Sequence, residues 1–177
     1  MADSDVTGVL LVGGASSRFG SPKALAPFEG EMLAVRALRT LTEAFEQVIA
    51  VGKAQDALEL PFEVLDDGSE ERAAIVGVAA ALRLAATRLC VVLPTDMPFV
   101  SAALLRSLAE GAEGVDAAVV QTGPLPGAYR RSALPVMERR IAAGEFALYR
   151  ALEELETKVV EADLEQLRNL NTPVELA

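Results

Sequence analysis

The sequence contains no histidine, no tryptophan and a single cysteine in 177 residues. Without histidine there is no Ser-His-Asp triad, no imidazole general base, no His-ligated zinc and no phosphohistidine intermediate. One cysteine allows no internal disulfide and, with histidine missing as well, removes the usual ligands of structural zinc. Cys90 sits inside the apolar run Leu89 to Leu93 and reads as a buried strand residue, and a lone thiol fits a cytoplasmic protein. Aromatic residues make up only 5%, so the core must be built from Leu, Ala and Val. No apolar stretch approaches the ~20 residues that a membrane span needs. The start, Met1-Ala2-Asp3-Ser4-Asp5, is acidic and has no basic region, so no signal peptide is expected. Cations are in deficit, 16 Lys and Arg against 26 Asp and Glu, for a net charge of −10. That charge opposes non-specific binding to nucleic acid or to an anionic membrane. The remaining chemistry falls to carboxylates, a few cations, backbone amides and a hard metal such as Mg²⁺.

Near the start, Val6 to Val12 (VTGVLLV) is an apolar run of the kind that a central parallel strand shows when both faces are buried. It opens into Gly13-Gly14-Ala15-Ser16-Ser17-Arg18, and Gly20-Ser21-Pro22-Lys23 follows. Glycines let backbone N–H groups approach anionic oxygens with no Cβ in the way. Arg18 adds a planar fork of donors and Lys23 a point charge, so the segment is suited to polyphosphate. It is not a P-loop, because Gly14 stands too early relative to Lys23 and Ala24 replaces the Ser or Thr. Nor is it the G-x-G-x-x-G dinucleotide fingerprint, because Gly13 and Gly14 are adjacent.

The segment LLVGGASSRFGSPKAL does resemble the G-G-x-S-x-R-x-G-x-x-K signature of nucleotidyltransferases, and most closely that of the molybdenum cofactor guanylyltransferase family. The resemblance runs from Val9 to Leu176. It implies a single nucleotidyltransferase domain over residues 1–177, a three-layer α/β/α Rossmann-like fold with a mostly parallel central sheet. It also implies that Leu11, Val12, Gly13, Gly14 and Lys23 bind the nucleotide and that Arg18 and Lys23 act in catalysis.

The order of elements agrees with an α/β fold, since strand and helix patterns alternate. A turn at residues 26–30 precedes a helix over Met32–Phe45, with its apolar stripe at Met32, Val35, Leu38, Leu41 and Phe45. Strands are expected at Gln47–Val51, Phe62–Leu65 and Arg88–Leu93, with a helix over Ala73–Leu84 between the second and third of these. A helix over Ser101–Glu110, capped by Ser101, leads to strands at Val115–Gln121 and Gly127–Arg131. Helical patterns cover Ala133–Ala142 and Glu145–Leu155, and Lys158–Glu161 is a last strand.

Asp96 follows the buried run at Leu93, in Pro94-Thr95-Asp96-Met97-Pro98. In open α/β sheets ligands bind beyond the carboxyl ends of the strands, so Asp96 faces the Gly13 loop if the two strands are neighbours. One carboxylate, completed by phosphate oxygens and water, is a usual way to hold Mg²⁺. The family's C-D-x-P or T-D-x-P motif matches here and implies that Asp96 is a catalytic residue, the metal ligand and a nucleotide contact. Asp67 ends the third expected strand; a carboxylate can accept both donors of the guanine edge, and the family places an Asp in its guanine site near this point. Two departures from the family pattern follow, the first of which weakens the base assignment. Val51 replaces a polar residue common in the family, and Ala73-Ala74-Ile75-Val76-Gly77 keeps only the last Gly of a G-P-L-x-G stretch. Arg72 is either a phosphate or pterin contact or a solvated cation at a helix start.

Pro124-Leu125-Pro126-Gly127-Ala128-Tyr129-Arg130-Arg131 resembles the family's P-L-x-G-x-Y-R-R run. Neighbouring strand residues point to opposite faces, so at most one of Arg130 and Arg131 faces the crevice. Asn169 and Asn171, in an N-x-N-T-P motif, point the same way in extended chain and are expected on the acceptor side. Thr172-Pro173-Val174-Glu175 also reads as a capping box.

The resemblance implies Mg²⁺-dependent transfer of GMP from GTP to the phosphate of molybdopterin in the cytoplasm. It implies a monomer or weak oligomer, in transient contact with cofactor-biosynthesis or molybdoenzyme partners. The alternatives are a cytidylyltransferase acting on a pterin or sugar-alcohol phosphate, and a non-catalytic nucleotide-binding adaptor.

Overall fold

A computed structural model describes residues 5–13 and 22–170. Gly14, Arg18, Asn171 and the capping box at 172–175 lie outside the described residues. In chain order the elements are β1 (Val6–Leu11), β2 (Pro27–Phe28), β3 (Glu31–Met32), α1 (Leu33–Ala44), β4 (Gln47–Gly52), β5 (Leu65–Asp66), α2 (Ala74–Leu84), β6 (Leu89–Pro94), α3 (Ala102–Gly111), β7 (Ala117–Val120), β8 (Gly123–Arg130), α4 (Leu134–Ala142), α5 (Leu148–Leu152) and β9 (Thr157–Val160). The central sheet runs β5-β4-β1-β6-β8-β7-β9, and β2 and β3 form a separate hairpin. All pairings in the large sheet are parallel except those of β8 with β6 and β7.

Burial on both faces explains why β1 and β6 read as continuous apolar runs. Val6 and Leu10 of β1 enter a core with Leu41 of α1 and Leu105 and Leu108 of α3. Val9 and Leu11 enter a second core with Ile75 and Leu82 of α2 and Met137 of α4. β6 alternates in the same way, with Leu89, Val91 and Leu93 on one side and Cys90 and Val92 on the other. β1 connects outward to β4 and β5, after which the chain returns across β1 to β6. The strand order therefore reverses between β1 and β6, where a crevice must open.

The one antiparallel strand has a local cause. Only Gln121 and Thr122 separate β7 from β8, and a two-residue connection joins only antiparallel strands. β8 begins four residues before the expected Gly127, and its register shifts between Val119 and Val120 of β7. Pro124 and Pro126 lack the N–H that a regular ladder needs there. The buried Tyr129 hydroxyl instead donates to Pro124 O at 2.5 Å, holding the start of β8.

The third expected strand is shorter than its pattern. Only Leu65 and Asp66 pair with β4, whereas Phe62 and Val64 pack against the core as loop residues. The last expected helix contracts to Leu148–Leu152. Ser101 caps α3 as expected, its Oγ accepting from Leu104 N at 3.2 Å. No helix of the described residues is long and apolar enough to cross a membrane.

Cys90 has no exposed surface, and burial pushes its thiol pKa up to about 12. In the native protein a thiol reagent such as DTNB should leave Cys90 untouched, and one thiol should react fully after denaturation. Rapid native labelling would contradict the packing of β6 described here.

Candidate active site

The crevice lies at the carboxyl ends of β1, β4, β5 and β6, against the N-terminus of α2, and encloses a cavity of ≈ 180 Å³. Strand ends converge tightly here. Val12 N donates to Val51 O at 2.8 Å, and Asp67 N donates to Gly52 O at 2.8 Å. A Cβ at residue 52 would lie 2.4 Å from Val12 O, so only glycine allows this approach. Gly13 follows with φ +124°, a conformation that L side chains rarely adopt. Leu11, Val12 and Gly13 all line the cavity.

Asp96 stands two residues beyond β6, which pairs directly with β1. The condition for placing Asp96 opposite the Gly13 loop is therefore met. The Lys23 ammonium donates to Asp96 Oδ2 at 3.3 Å, across 73 residues of sequence. Both side chains are partly accessible, at 16% and 26%, so an incoming ligand can reach either. Lys23 opens a short helical turn, Lys23–Leu25, that packs beside α1. Asp96 O also accepts from Leu170 N at 2.9 Å, which brings the exposed Asn169 next to Asp96 in space. Leu170 is itself buried, in a small cluster with Ala26, Phe28 and Leu33 of the hairpin region and with Phe99. Phe28 and Phe99 meet edge to face at 5.6 Å, and the Arg168 guanidinium lies 4.4 Å from the Phe99 ring centroid. This cluster holds the segment that carries Asn169 against the Asp96 loop.

Asp67 lines the same cavity, but its carboxylate is already engaged. Lys53 Nζ lies 2.9 Å from Oδ1 and 2.8 Å from Oδ2, and Ser69 N donates to Oδ1 at 3.0 Å. Lys53 spends its other protons on Ser69 O and Glu71 O, both at 2.6 Å. The ion pair is almost fully buried, at 6% and 7% side-chain exposure. Lys53 thus holds Asp67 and the loop leading into α2 as one unit. Sequence reasoning missed it, although a charged residue just past a buried strand is the same signal that singled out Asp96. β4 extends one residue beyond the expected Val51, so the polar group at that strand end is Lys53 rather than residue 51.

Arg72 borders the cavity, and its guanidinium pairs with both oxygens of Asp56 on the loop after β4, Nη1 reaching Oδ2 at 3.0 Å. The hydrogen bonds from Arg72, reinforced by its charge, hold the Asp56 carboxyl below the usual carboxylate range despite burial. Neither Arg130 nor Arg131 faces the crevice. Arg130 pairs in register with Leu89, at the opposite end of β6 from Pro94. Arg130 Nε donates to Ala112 O just past α3, and Arg131, in the helical turn that follows β8, donates through Nη2 to Ala85 O just past α2.

Comparison with known proteins agrees with this fold. Residues 8–159 match the family described as MobA-like NTP transferase domain. A probable molybdenum cofactor guanylyltransferase of Pelotomaculum thermopropionicum is 35% identical over 77% of this chain and 69% of that protein. Another from Rhodopirellula baltica is 32% identical over 99% of this chain and 92% of that protein. The solved structure of molybdopterin-guanine dinucleotide biosynthesis protein A from Archaeoglobus fulgidus superposes with a TM-score of 0.83 at 29% identity, covering 96% of this chain and 94% of that one.

Removing one partner of a buried ion pair strands the other charge, at a cost of about 3–5 kcal/mol. Lys53→Met should therefore lower unfolding stability by about that amount. Adding Asp67→Leu should recover most of the loss. Chemical denaturation of the two variants checks this; equal stability of Lys53→Met and the parent protein would contradict the pairing.

Proposed function

The chain belongs to the MobA-like NTP transferase domain family, and from that premise we propose that it transfers GMP from GTP to the phosphate of molybdopterin, forming molybdopterin guanine dinucleotide and releasing pyrophosphate. The observation that carries this reading is the meeting of Lys23 with Asp96 at the mouth of the β1–β6 crevice. The names of the relatives supply the substrates.

In this reading the nucleotide lies over the carboxyl ends of β1 and β4. Gly13, Gly14, Arg18 and Lys23 are assigned to binding the triphosphate. An oxygen of the acceptor phosphate attacks the α-phosphorus in line; the new P–O bond forms as the bond to the β-phosphate oxygen breaks, and pyrophosphate leaves. The attacking oxygen is already ionised near neutral pH, so no general base is required, in keeping with a chain without histidine. Catalysis reduces to positioning and charge stabilisation. Lys23 lies close enough to Asp96 to exchange that carboxylate for a phosphate oxygen as its partner.

Mg²⁺ fits the donor set. Asp96 offers one hard, partly accessible carboxylate, and the described residues hold no group of three or more acidic, Cys or His side chains. Such a site would take an ion together with phosphate oxygens and water rather than in an all-protein cage. Bound there, the ion would neutralise charge on the phosphates. Asn169, and Asn171 with it, would meet the acceptor.

Asp67 is proposed to read the base, with reduced capacity. Lys53 and Ser69 occupy much of its carboxylate, so the second guanine donor needs a backbone carbonyl of the crevice. The same engagement favours the cytidylyltransferase reading as the alternative, since a base with fewer donors asks less of Asp67.

Asp96→Ala and Lys23→Ala should each lower turnover by ~10²-fold or more with the fold intact. Pyrophosphate release from GTP with molybdopterin as acceptor measures this. Turnover near that of the parent protein in either variant would exclude the assigned roles. Asp67→Asn should narrow the preference for GTP over CTP, and an unchanged ratio would remove Asp67 from the base site.

A further inference from the structure

The Arg-Arg pair that closes β8 has no place in the crevice, and its surroundings suggest a use for it. Arg88, Arg130, Arg131 and Ser132 line a cleft of ≈ 460 Å³. The cleft lies at the amino ends of the parallel strands, where Leu89 begins β6 opposite Arg130. Its volume falls within the roughly 300–1,000 Å³ of small-molecule sites.

The arginines in it have no ion-pair partner. Most described lysines and arginines are ion-paired with a carboxylate; Arg88, Arg106, Arg130, Arg131 and Lys158 have no such partner among the described residues, and three of these five line this one cleft. In a chain of net charge −10, that is a local reversal of sign. Asp116 borders the cleft as a charged carboxylate, its oxygens accepting from Ser132 Oγ at 2.5 Å and Glu156 N at 3.1 Å, and it is ion-paired with none of the three arginines.

Two of the guanidiniums are also fixed in place. Arg130 Nε donates to Ala112 O at 2.7 Å. Arg131 Nη2 donates to Ala85 O at 2.6 Å and Thr87 O at 3.2 Å. These carbonyls lie just beyond the C-termini of α3 and α2, where partial negative charge gathers. Each arginine is anchored through one part of its fork and keeps further N–H donors. Arg88 is exposed, with no side-chain hydrogen bond among the described residues. Two anchored forks and one free fork match a tetrahedral dianion, with several oxygens to bind at once, better than a single carboxylate.

We propose that this cleft is a second anion site, which binds the phosphate group of a small molecule at the pole of the sheet opposite the nucleotide crevice. The ligand is either free phosphate or pyrophosphate, or the phosphate monoester of a larger metabolite. The site is independent of the function proposed for the crevice.

The test follows the arginine Nε–Hε and nearby backbone signals of the full chain by NMR during titration with inorganic phosphate, pyrophosphate and glycerol 3-phosphate, at ionic strength held constant with chloride. Saturable shifts at Arg88, Arg130, Arg131 and Ser132 are expected. Arg88→Gln should weaken them by ~10-fold, as loss of a charge-assisted hydrogen bond predicts, and Lys23→Ala should leave them unchanged. Tighter binding of glycerol 3-phosphate assigns the site to a larger phosphate monoester, and tighter binding of the inorganic ions to a free anion; both support the proposal. Non-saturating shifts that chloride reproduces, or an Arg88→Gln titration identical to that of the parent protein, would overturn it. So would saturable binding of an acidic peptide where phosphate compounds give none.

Discussion

The rest of the structure depends on the burial of β1 and β6 on both faces. Helices α1 and α3 cover one side of these strands, and α2 and α4 the other. A charged side chain along either strand would lose its hydration with nothing to replace it, and the buried Thr7 of β1 is met by the Thr87 hydroxyl at 2.8 Å. The chemistry is therefore displaced to the first residues past the strand ends. Gly13 follows β1, Lys53 follows β4, Asp67 follows β5 and Asp96 follows β6. Reversal of strand order between β1 and β6 then places these groups around one crevice rather than along an edge.

Electrostatics around that crevice is organised in pairs. Lys23 meets Asp96, Lys53 meets Asp67 and Arg72 meets Asp56. The pairs differ in burial, and so in role. Lys53–Asp67 is sealed from solvent and shares backbone acceptors with the loop into α2, which makes it a fixed wall. Lys23–Asp96 is open to solvent and joins segments far apart in sequence, which leaves both groups accessible to a polyphosphate and a hard cation. In an acidic chain, this local supply of cations is what makes an anionic substrate admissible at all.

Much of this was legible in the sequence because burial and strand ends leave plain marks. Runs such as Val6 to Val12 and Leu89 to Leu93 are apolar without alternation, and they proved to be the two central strands. The Gly-rich segment and Asp96 followed from what comes next. Three features were hidden, each for a physical reason. Lys53 carried no mark in the sequence because its partners, Asp67, Ser69 and Glu71, lie 14 to 18 residues away. The early start of β8 was obscured by Pro124 and Pro126, which break the ladder locally while the strand continues. The far-end position of Arg130 and Arg131 depended on β8 running antiparallel, and that is a property of the two-residue connection rather than of the arginines.

The central claim is that the crevice takes a guanine nucleotide together with a hard cation. Calorimetric titration with GTP, CTP, UTP and ATP, each with and without Mg²⁺, tests it most directly. Selective binding of GTP is expected, strengthened by Mg²⁺ and made insensitive to the ion by Asp96→Ala. Preference for CTP, or no binding of any nucleotide in either condition, would contradict it.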